Sequence, residues 1–169
     1  MHKEKKKQGK QKLDHIFHVM YTLCKVRGFK VISKFFPCKP EDFRSILKCF
    51  RGENMEDNET WESRYILLLW LSMAVLIPFD FWRLEYSEKE KENSKILEIM
   101  IQDFLPCLQK LGKVSEGASV FLSKLIVRPD VSQSFREDFL TSLVSKLNSE
   151  KQGSNFTVNI SYKNCHLPA

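Results

Sequence analysis

The sequence predicts an all-α protein whose helices pack around one strongly apolar helix. Glycine and proline are scarce, at six each in 169 residues, and the alternating pattern of a β-strand is almost absent. Apolar residues instead recur at intervals of three and four along most of the chain. A central segment, Trp61 to Leu84, includes a stretch at 65–77 with no charge and one hydroxyl, Ser72. With 43% hydrophobic residues, the chain can bury a substantial core.

The apolar stretch 65–77 is expected to form a buried helix. As a helix it would rise about 20 Å, which is shorter than the roughly 30 Å of hydrocarbon in a bilayer. Apolar residues occupy every side of it, so neighbouring elements must cover it all round. Pro78 lacks the amide that would continue the helix and restricts Ile77. We therefore predict that this helix ends at Ile77.

The N-terminal part of the chain predicts a basic arm followed by helices. Residues 1–12 hold six lysines and one glutamate, which gives +5 of the formal net charge of +6. Such a short charged end is typical of a solvated, disordered arm. From residue 13 one apolar stripe follows, formed by Leu13, Ile16, Phe17, Met20 and Leu23. Gly28 is expected to end or kink this helix, and the pattern resumes at Phe29, Ile32, Phe35 and Phe36 before Pro37.

The next helix is predicted to begin at Pro40 and to end at Gly52. Proline suits the first turn of a helix, and the neighbouring Glu41 and Asp42 favour the positive end of the helix dipole. Its apolar stripe consists of Phe43, Ile46, Leu47 and Phe50. Residues 53–60 are an acidic, polar loop that leads into the apolar helix.

The C-terminal half predicts three further helices. An aromatic turn at 78–85 and a polar loop at 87–95 separate them from the apolar helix. The first starts near Ser94, is bent at Pro106 and ends before Gly112; Ser115 is expected to cap the second, which stops at Arg128 and Pro129. The third covers 133–147 and is expected to bury Phe139, Leu140, Leu143 and Leu147. We thus predict a helical repeat segment at 13–147 and a flexible tail at 148–169.

A proline motif recurs three times along the chain. An apolar helix ends at a proline near an acidic residue in FFPCKPEDF at 35–43, LIPFDF at 76–81 and IVRPDV at 126–131. The prolines are 41 and 51 residues apart, and the first interval lies in the range of HEAT or armadillo repeats. This spacing favours HEAT/armadillo-like repeats, with an irregular helical bundle as the alternative.

No arrangement of residues predicts catalysis, a cofactor or a metal. His15 and His18 are three apart but no further ligand completes a site. Cys24 is the local candidate for a nucleophile near them, yet in an apolar helix a thiol behaves as a small hydrophobe. We therefore expect a protein that is not an enzyme and has no catalytic, cofactor-binding or metal-ligating residues. The cysteines are odd in number and widely spaced, which is typical of reduced thiols in a cytosolic protein. They are Cys24, Cys38, Cys49, Cys107 and Cys165.

The remaining signals point to protein binding. The charged residues near helix ends, Asp80, Asp130, Glu62 and Arg64, are explained as caps and ion pairs. No basic stripe with interleaved aromatics indicates a nucleic-acid partner. Stacked helix pairs expose long surfaces and generally bind other proteins, although the sequence does not mark the partner-binding residues. The alternative is a membrane-associated helical protein that uses 65–77 together with the basic arm.

Three blocks of sequence resemble a known family. RYILLLWLSMAVLIPFDFWRL at 64–84 is similar to the N-terminal region of the tubulin-folding cofactor D family, which are large HEAT-repeat chaperones of tubulin. LCKVRGFKVISKFFP at 23–37 and LSKLIVRPDVSQS at 122–134 agree in the same order. The resemblance covers the chain from about Tyr21 to Leu147 and implies an armadillo-like α-solenoid.

The resemblance also implies a function in tubulin assembly. Members of the family bind β-tubulin, act with tubulin-folding cofactors E and C to assemble or dismantle the αβ-heterodimer, and engage an ARF-like small GTPase. With cofactor C they stimulate GTP hydrolysis by tubulin. The resemblance implies a cytoplasmic protein that associates with the cytoskeleton, including the centrosome. No residue for any of these contacts can be carried over, because the matched blocks are mainly core.

The family chains are several-fold longer than this one. We therefore expect a fragment or truncated isoform whose tail at 148–169 has no counterpart in the family. A solenoid cut after residue 147 exposes apolar surface, since terminal repeats normally carry a polar cap. With Phe139, Leu140 and Leu143 near that cut, the isolated chain is expected to aggregate or to need a partner.

Overall fold

The computed structural model describes residues 2–55, 57, 59–78, 94–110 and 112–151. These residues form seven α-helices and a short 3-10 helix at Ser33–Phe35, with no strand among them. The predicted all-α class is confirmed. The helices are α1 His2–Arg27, α2 Phe29–Ile32, α3 Pro40–Arg51, α4 Trp61–Ala74, α5 Ser94–Gln109, α6 Lys113–Ile126 and α7 Gln133–Lys151.

The chain divides into two compact units, Met1–Val131 and Ser132–Ala169. The boundary falls just after the third proline motif, so the first unit contains α1 to α6 and the second contains α7. The boundaries of the predicted repeat segment at 13–147 stay a prediction. The aromatic turn at 78–85 and the polar loop at 87–95 lie outside the described residues, apart from Pro78, Ser94 and Lys95.

Helix α4 lies at the centre of the first unit, as its composition predicts. It packs against α1, α3 and α6, with α6 making the most extensive contact. Every residue from Ser63 to Leu69 is buried, and Ser72 is satisfied by donating its hydroxyl proton to the Leu69 carbonyl at 2.7 Å. An apolar helix without a polar face is stable in water only when it is enclosed in this way.

A glycine allows α6 to approach α4 closely. A Cβ atom placed on Gly117 would lie 3.2 Å from the Leu68 Cβ and 3.2 Å from the Tyr65 ring. Both neighbours are almost fully buried, so neither can easily move aside. The core also contains a cluster of three phenylalanine rings. The Phe104 ring of α5 packs between that of Phe50 in α3, with ring centroids 4.6 Å apart, and that of Phe121 in α6, with ring centroids 4.5 Å apart.

Helix α4 ends at Ala74, three residues earlier than predicted. The last turns tighten, because the Leu76 amide donates to the Met73 carbonyl at 3.1 Å and the Ile77 amide donates to the Ala74 carbonyl at 3.2 Å. Two carbonyls at this end, those of Val75 and Ile77, accept hydrogen bonds from the Arg128 guanidinium. Its other nitrogens bind both carboxylate oxygens of Asp130 at 2.8 Å.

The proline motifs are therefore attached to α4 by hydrogen bonds. The motif at 126–131 holds the end of α4 through Arg128, and the motif at 35–43 accepts a bond at the Pro37 carbonyl from the Trp70 indole at 2.6 Å. Phe36 packs beside Trp70 with ring centroids 5.9 Å apart. These two occurrences of the motif thus attach the loops after a helix to the central helix; residues 79–81 of the motif at 76–81 lie outside the described residues.

The structure differs from the sequence prediction at the N-terminus. Helix α1 continues back to His2, so residues 2–12, for which we predict a disordered arm, are helical. Lysine and glutamine are good helix formers, and the turns from Leu13 onward already supply the nucleus that helix growth requires. Lys10 also lies 3.7 Å from the Glu53 carboxylate.

The prediction that the apolar residues of α1 form a single stripe is wrong, because they lie on two different sides of the helix. Phe17 is buried, whereas Ile16 and Leu23 are about half exposed. Only one face of a helix can lie against α4, and Phe17, Tyr21 and Cys24 occupy it. In the loop that follows, Phe36 is buried but Phe35 is 79% exposed.

Two further details differ from the predictions. Ser115 does not cap α6, because Gly112, with φ of 91°, takes the N-cap position and the helix begins at Lys113. The Ser115 hydroxyl instead donates to the Leu108 carbonyl of α5 at 3.0 Å. In α7, Phe139 is buried, but Leu140 is exposed and therefore not part of a core; the Leu147 side chain lies outside those described.

We expect Gly117→Val to destabilise the chain by about 2–3 kcal/mol, because the added methyl groups would overlap Leu68 and Tyr65. Gly9→Val is the matched control: Gly9 is also helical, with nothing within 4 Å of its added Cβ. The free energy of unfolding, measured by urea titration, should change by less than about 0.5 kcal/mol in the control. Equal effects of the two substitutions would contradict the close approach of α6 to α4.

We expect Arg128→Ala to cost about 3–5 kcal/mol, because it removes a buried guanidinium that binds both the Asp130 carboxylate and the carbonyls at the end of α4. Arg51→Ala removes a guanidinium that also binds a carboxylate, that of Asp103 at 2.6 Å, but both side chains are partly exposed. This control should lose less than about 1 kcal/mol in the same urea titration. A loss as small for Arg128→Ala would show that the buried contacts do not hold the helix end.

Candidate functional site

The residues considered for catalysis do not come together. Cys24 is 6% exposed and faces the core, whereas His15 and His18 are exposed on another side of α1. His15 is bonded to the Gln11 carbonyl at 2.7 Å and His18 to the Glu62 carboxylate at 2.5 Å. Burial raises the pKa of the Cys24 thiol, which disfavours the thiolate that a nucleophile needs.

Metal binding and membrane insertion find no support in the residues that the structure describes. Among them, no three His, Cys, Asp or Glu side chains are grouped so that they could hold a metal ion. None of the described helices combines the length and the hydropathy that crossing a bilayer requires. The segment 65–77 proposed for membrane association is mostly covered by protein, so most of its apolar side chains are not available at the surface, and among them only Leu76 is exposed.

The charged residues singled out near helix ends have structural partners. Glu62 binds His18, and Asp130 binds Arg128. Arg64 is only 4% exposed and donates to the Asn54 carbonyl at 2.5 Å and to the Thr60 hydroxyl at 3.4 Å, which fastens the polar loop to α4. Asp80 lies outside the described residues.

A polar cleft lies where the first turn of α4, the end of α5 and the start of α6 meet. Its volume is about 600 Å³, which is large enough for a side chain or a short loop of a partner. Gly112 allows this junction, because its positive φ turns the chain sharply from α5 into α6. The lining residues are Trp61, Arg64, Gln109, Lys110, Gly112, Lys113 and Val114.

The cleft has a positive electrostatic character. Arg64, Lys110 and Lys113 contribute three cations to its lining, and none of the described residues that line it is acidic. The Lys113 ammonium binds Glu116 at 2.5 Å, but both side chains stay substantially exposed, so the pair can exchange for another carboxylate. The amino ends of α4 and α6 add the positive ends of two helix dipoles. The arrangement is suited to an acidic group on a protein partner.

Sequence analysis missed the lysines of this cleft. Lys110 lies in the turn after α5 and Lys113 begins α6, so neither belongs to an apolar or charged stripe of a helix. The available signal was Gly112, which separates the two lysines and marks a sharp helix junction.

A second polar group lies where α4 meets α6. The Lys124 ammonium donates to the Ser72 hydroxyl at 3.3 Å, and burial lowers the pKa of this lysine. The pKa of the Cys38 thiol is raised by burial and by Asp42, while the charge of Lys124 acts in the opposite direction. These groups satisfy one another at the edge of the core and form no open site.

We expect the cysteines to react in the order of their exposure. Cys49 is exposed, whereas Cys24 and Cys107 are buried and burial raises the pKa of Cys107 to about 11. With iodoacetamide at about pH 8, Cys49 should be alkylated at least about tenfold faster than either, as peptide mass spectrometry can follow. The control, Cys49→Ser, should leave the two slow rates unchanged. Rapid alkylation of Cys24 would instead reveal an activated thiol.

Comparisons with known proteins identify the family. The family model described as "Tubulin-specific chaperone D-like, ARM repeat" matches residues 1–147. Tubulin-folding cofactor D of Schizosaccharomyces pombe is 30% identical over 119 residues, covering 70% of this chain but 10% of the relative. No solved structure matches the chain. A family match over most of the chain, together with all-α architecture in the described residues, shows that it belongs to the tubulin-specific chaperone D-like armadillo-repeat family.

Proposed function

We propose that this chain is a segment of a tubulin-folding chaperone scaffold that binds β-tubulin. The observation that carries the proposal is the family match over residues 1–147, which includes the whole unit built around α4. In this role the segment helps to assemble or disassemble αβ-tubulin heterodimers with tubulin-folding cofactors E and C and an ARF-like small GTPase. It works in the cytoplasm at the cytoskeleton, including the centrosome.

The proposed contribution is binding rather than chemistry of its own. The candidate nucleophile Cys24 is buried and separate from the exposed histidines, and the charged residues at helix ends are engaged in holding the fold. Stimulation of GTP hydrolysis by tubulin, which we propose to occur together with cofactor C, would then act through the position in which the scaffold holds tubulin. Such an effect needs complementary surfaces and no catalytic residue in this segment.

Within the scaffold we propose the polar cleft as a contact for the tubulin partner. It combines the features of a small recognition pocket: an aromatic wall from Trp61, cations at the rim and a concave shape. Trp61 is held in place by Tyr21, with ring centroids 4.8 Å apart. Since Trp is often an energetically dominant residue of an interface, Trp61 would anchor a segment of the partner, and the exposed Lys113 would meet its acidic group.

Binding can be tested with the purified chain and αβ-tubulin. After incubation, β-tubulin should co-elute with the chain in size-exclusion chromatography, and an ARF-like GTPase should be tested in parallel in its GDP and GTP forms. Lys113→Glu should weaken tubulin binding by about tenfold, because it places a negative charge at the rim of the cleft. Lys48→Glu makes the same change of charge on an exposed residue of α3 and serves as the control.

The outcomes separate the two parts of the proposal. If neither tubulin nor the GTPase is retained, the proposed function of this segment is wrong. If tubulin is retained and the two charge variants bind it equally well, the chain is a tubulin-binding segment but the cleft is not the contact.

A further inference from the structure

Helix α1 presents to solvent an apolar stripe that the described part of the chain leaves largely uncovered. Its members, Ile16, Val19, Leu23 and Val26, are between 46% and 72% exposed. They are spaced by three, four and three residues, which places them on one side of the helix. The opposite side of α1, with Phe17 and Cys24, is buried against the rest of the first unit. We call these four residues the outer stripe.

The spacing of the outer stripe fits one particular kind of occupant. Apolar residues at alternating steps of three and four form the narrow seam along which a second helix packs. A helix that lies on a bilayer needs a wider apolar face with aromatic anchors. The aromatic residues of α1, Phe17 and Tyr21, face the other way, where Tyr21 contacts Trp61 and Tyr65. The geometry therefore favours a single helix over a lipid surface.

The charge around the outer stripe is cationic. No acidic residue occurs between Asp14 and Glu41, while this interval holds five cations: Lys25, Arg27, Lys30, Lys34 and Lys39. Lys12 lies one helical turn before Ile16 and so continues the line of the stripe. Lys12 also lines a shallow concavity on α1, together with Gln11, His15 and Ile16.

This charge also decides between possible helical partners. A second copy of α1 would bring the same cations against each other, and like charges across a helix interface oppose association. A helix whose apolar face is bordered by glutamate or aspartate would find opposite charges along the seam. Lys12 and Arg27 lie on the side of the stripe, one helical turn before Ile16 and one turn after Leu23. Neither forms an ion pair with another described residue, so both are available to such a partner.

We propose that the outer stripe of α1 is a docking site for an amphipathic helix with acidic flanks. The partner's apolar side chains would cover Ile16, Val19, Leu23 and Val26, and its carboxylates would meet the cations that border them. The proposal is independent of the proposed tubulin binding, because it concerns another surface and rests on the exposure and charge of α1.

The test uses the full chain and two fluorescent helical peptides of three heptads. Both peptides carry leucine at the core positions; one has glutamate at the flanking positions and the other has lysine. In anisotropy titrations the glutamate peptide should bind at least about tenfold more tightly than the lysine peptide. Raising the salt concentration should weaken the binding of the glutamate peptide, since exposed charges are screened.

Two neutral double variants separate the stripe from general hydrophobicity. Val19→Gln with Leu23→Gln should weaken binding of the glutamate peptide by about tenfold or more. Leu140→Gln with Val144→Gln is the matched control, because these residues are also exposed apolar positions on one helix, 51% and 53% exposed. Circular dichroism should show the same helix content for both variants, as all four side chains are exposed.

Three results would overturn the proposal. One is equal binding of the two peptides, and another is an equal effect of the two double variants. The third is a different occupant: anionic phosphatidylserine vesicles, or a second copy detected by sedimentation, binding through Val19 and Leu23 while the glutamate peptide fails to compete.

Discussion

The structure of this chain depends on the enclosure of α4. This helix has no polar face, so water must be excluded from every side, and α1, α3 and α6 pack around it. Gly117 lets α6 come close enough to leave no gap, and the Phe50, Phe104 and Phe121 rings extend the same core outward. The remaining helices of the first unit are arranged by this requirement.

Enclosing an apolar helix also creates a problem for the polar groups at its ends. Backbone carbonyls that leave the helix have no water to bind, and each unsatisfied group would cost free energy. Arg128 solves this at the last carbonyls of α4, where it donates to Val75 and Ile77. At the first turn, the buried Arg64 donates to the Asn54 carbonyl and so attaches the polar loop to α4. The Trp70 indole attaches the proline motif at 35–43.

The two surfaces proposed for partners follow from this architecture. The polar cleft forms where three helix ends meet, because a sharp turn at Gly112 leaves space between them. The outer stripe exists because α1 carries apolar residues on two sides but packs against α4 with only one of them. Both surfaces are bordered by cations, and both are suited to acidic partners. A scaffold of this kind acts through what it holds in place.

The sequence by itself determined the all-α class, the burial of α4, the helix boundaries at Gly28, Gly52 and Gly112, and the family, since these depend on local periodicity and composition. Only the tertiary structure decided which side of α1 is covered, because α1 has apolar residues on two sides and only one of them can pack against α4. It also decided that α4 ends at Ala74, where Arg128 meets the carbonyl of Val75 from 53 residues away. The cleft exists for the same reason, because it places Trp61 of α4 beside Lys110 and Lys113 of the α5–α6 junction, and contacts between distant segments leave no period in the sequence.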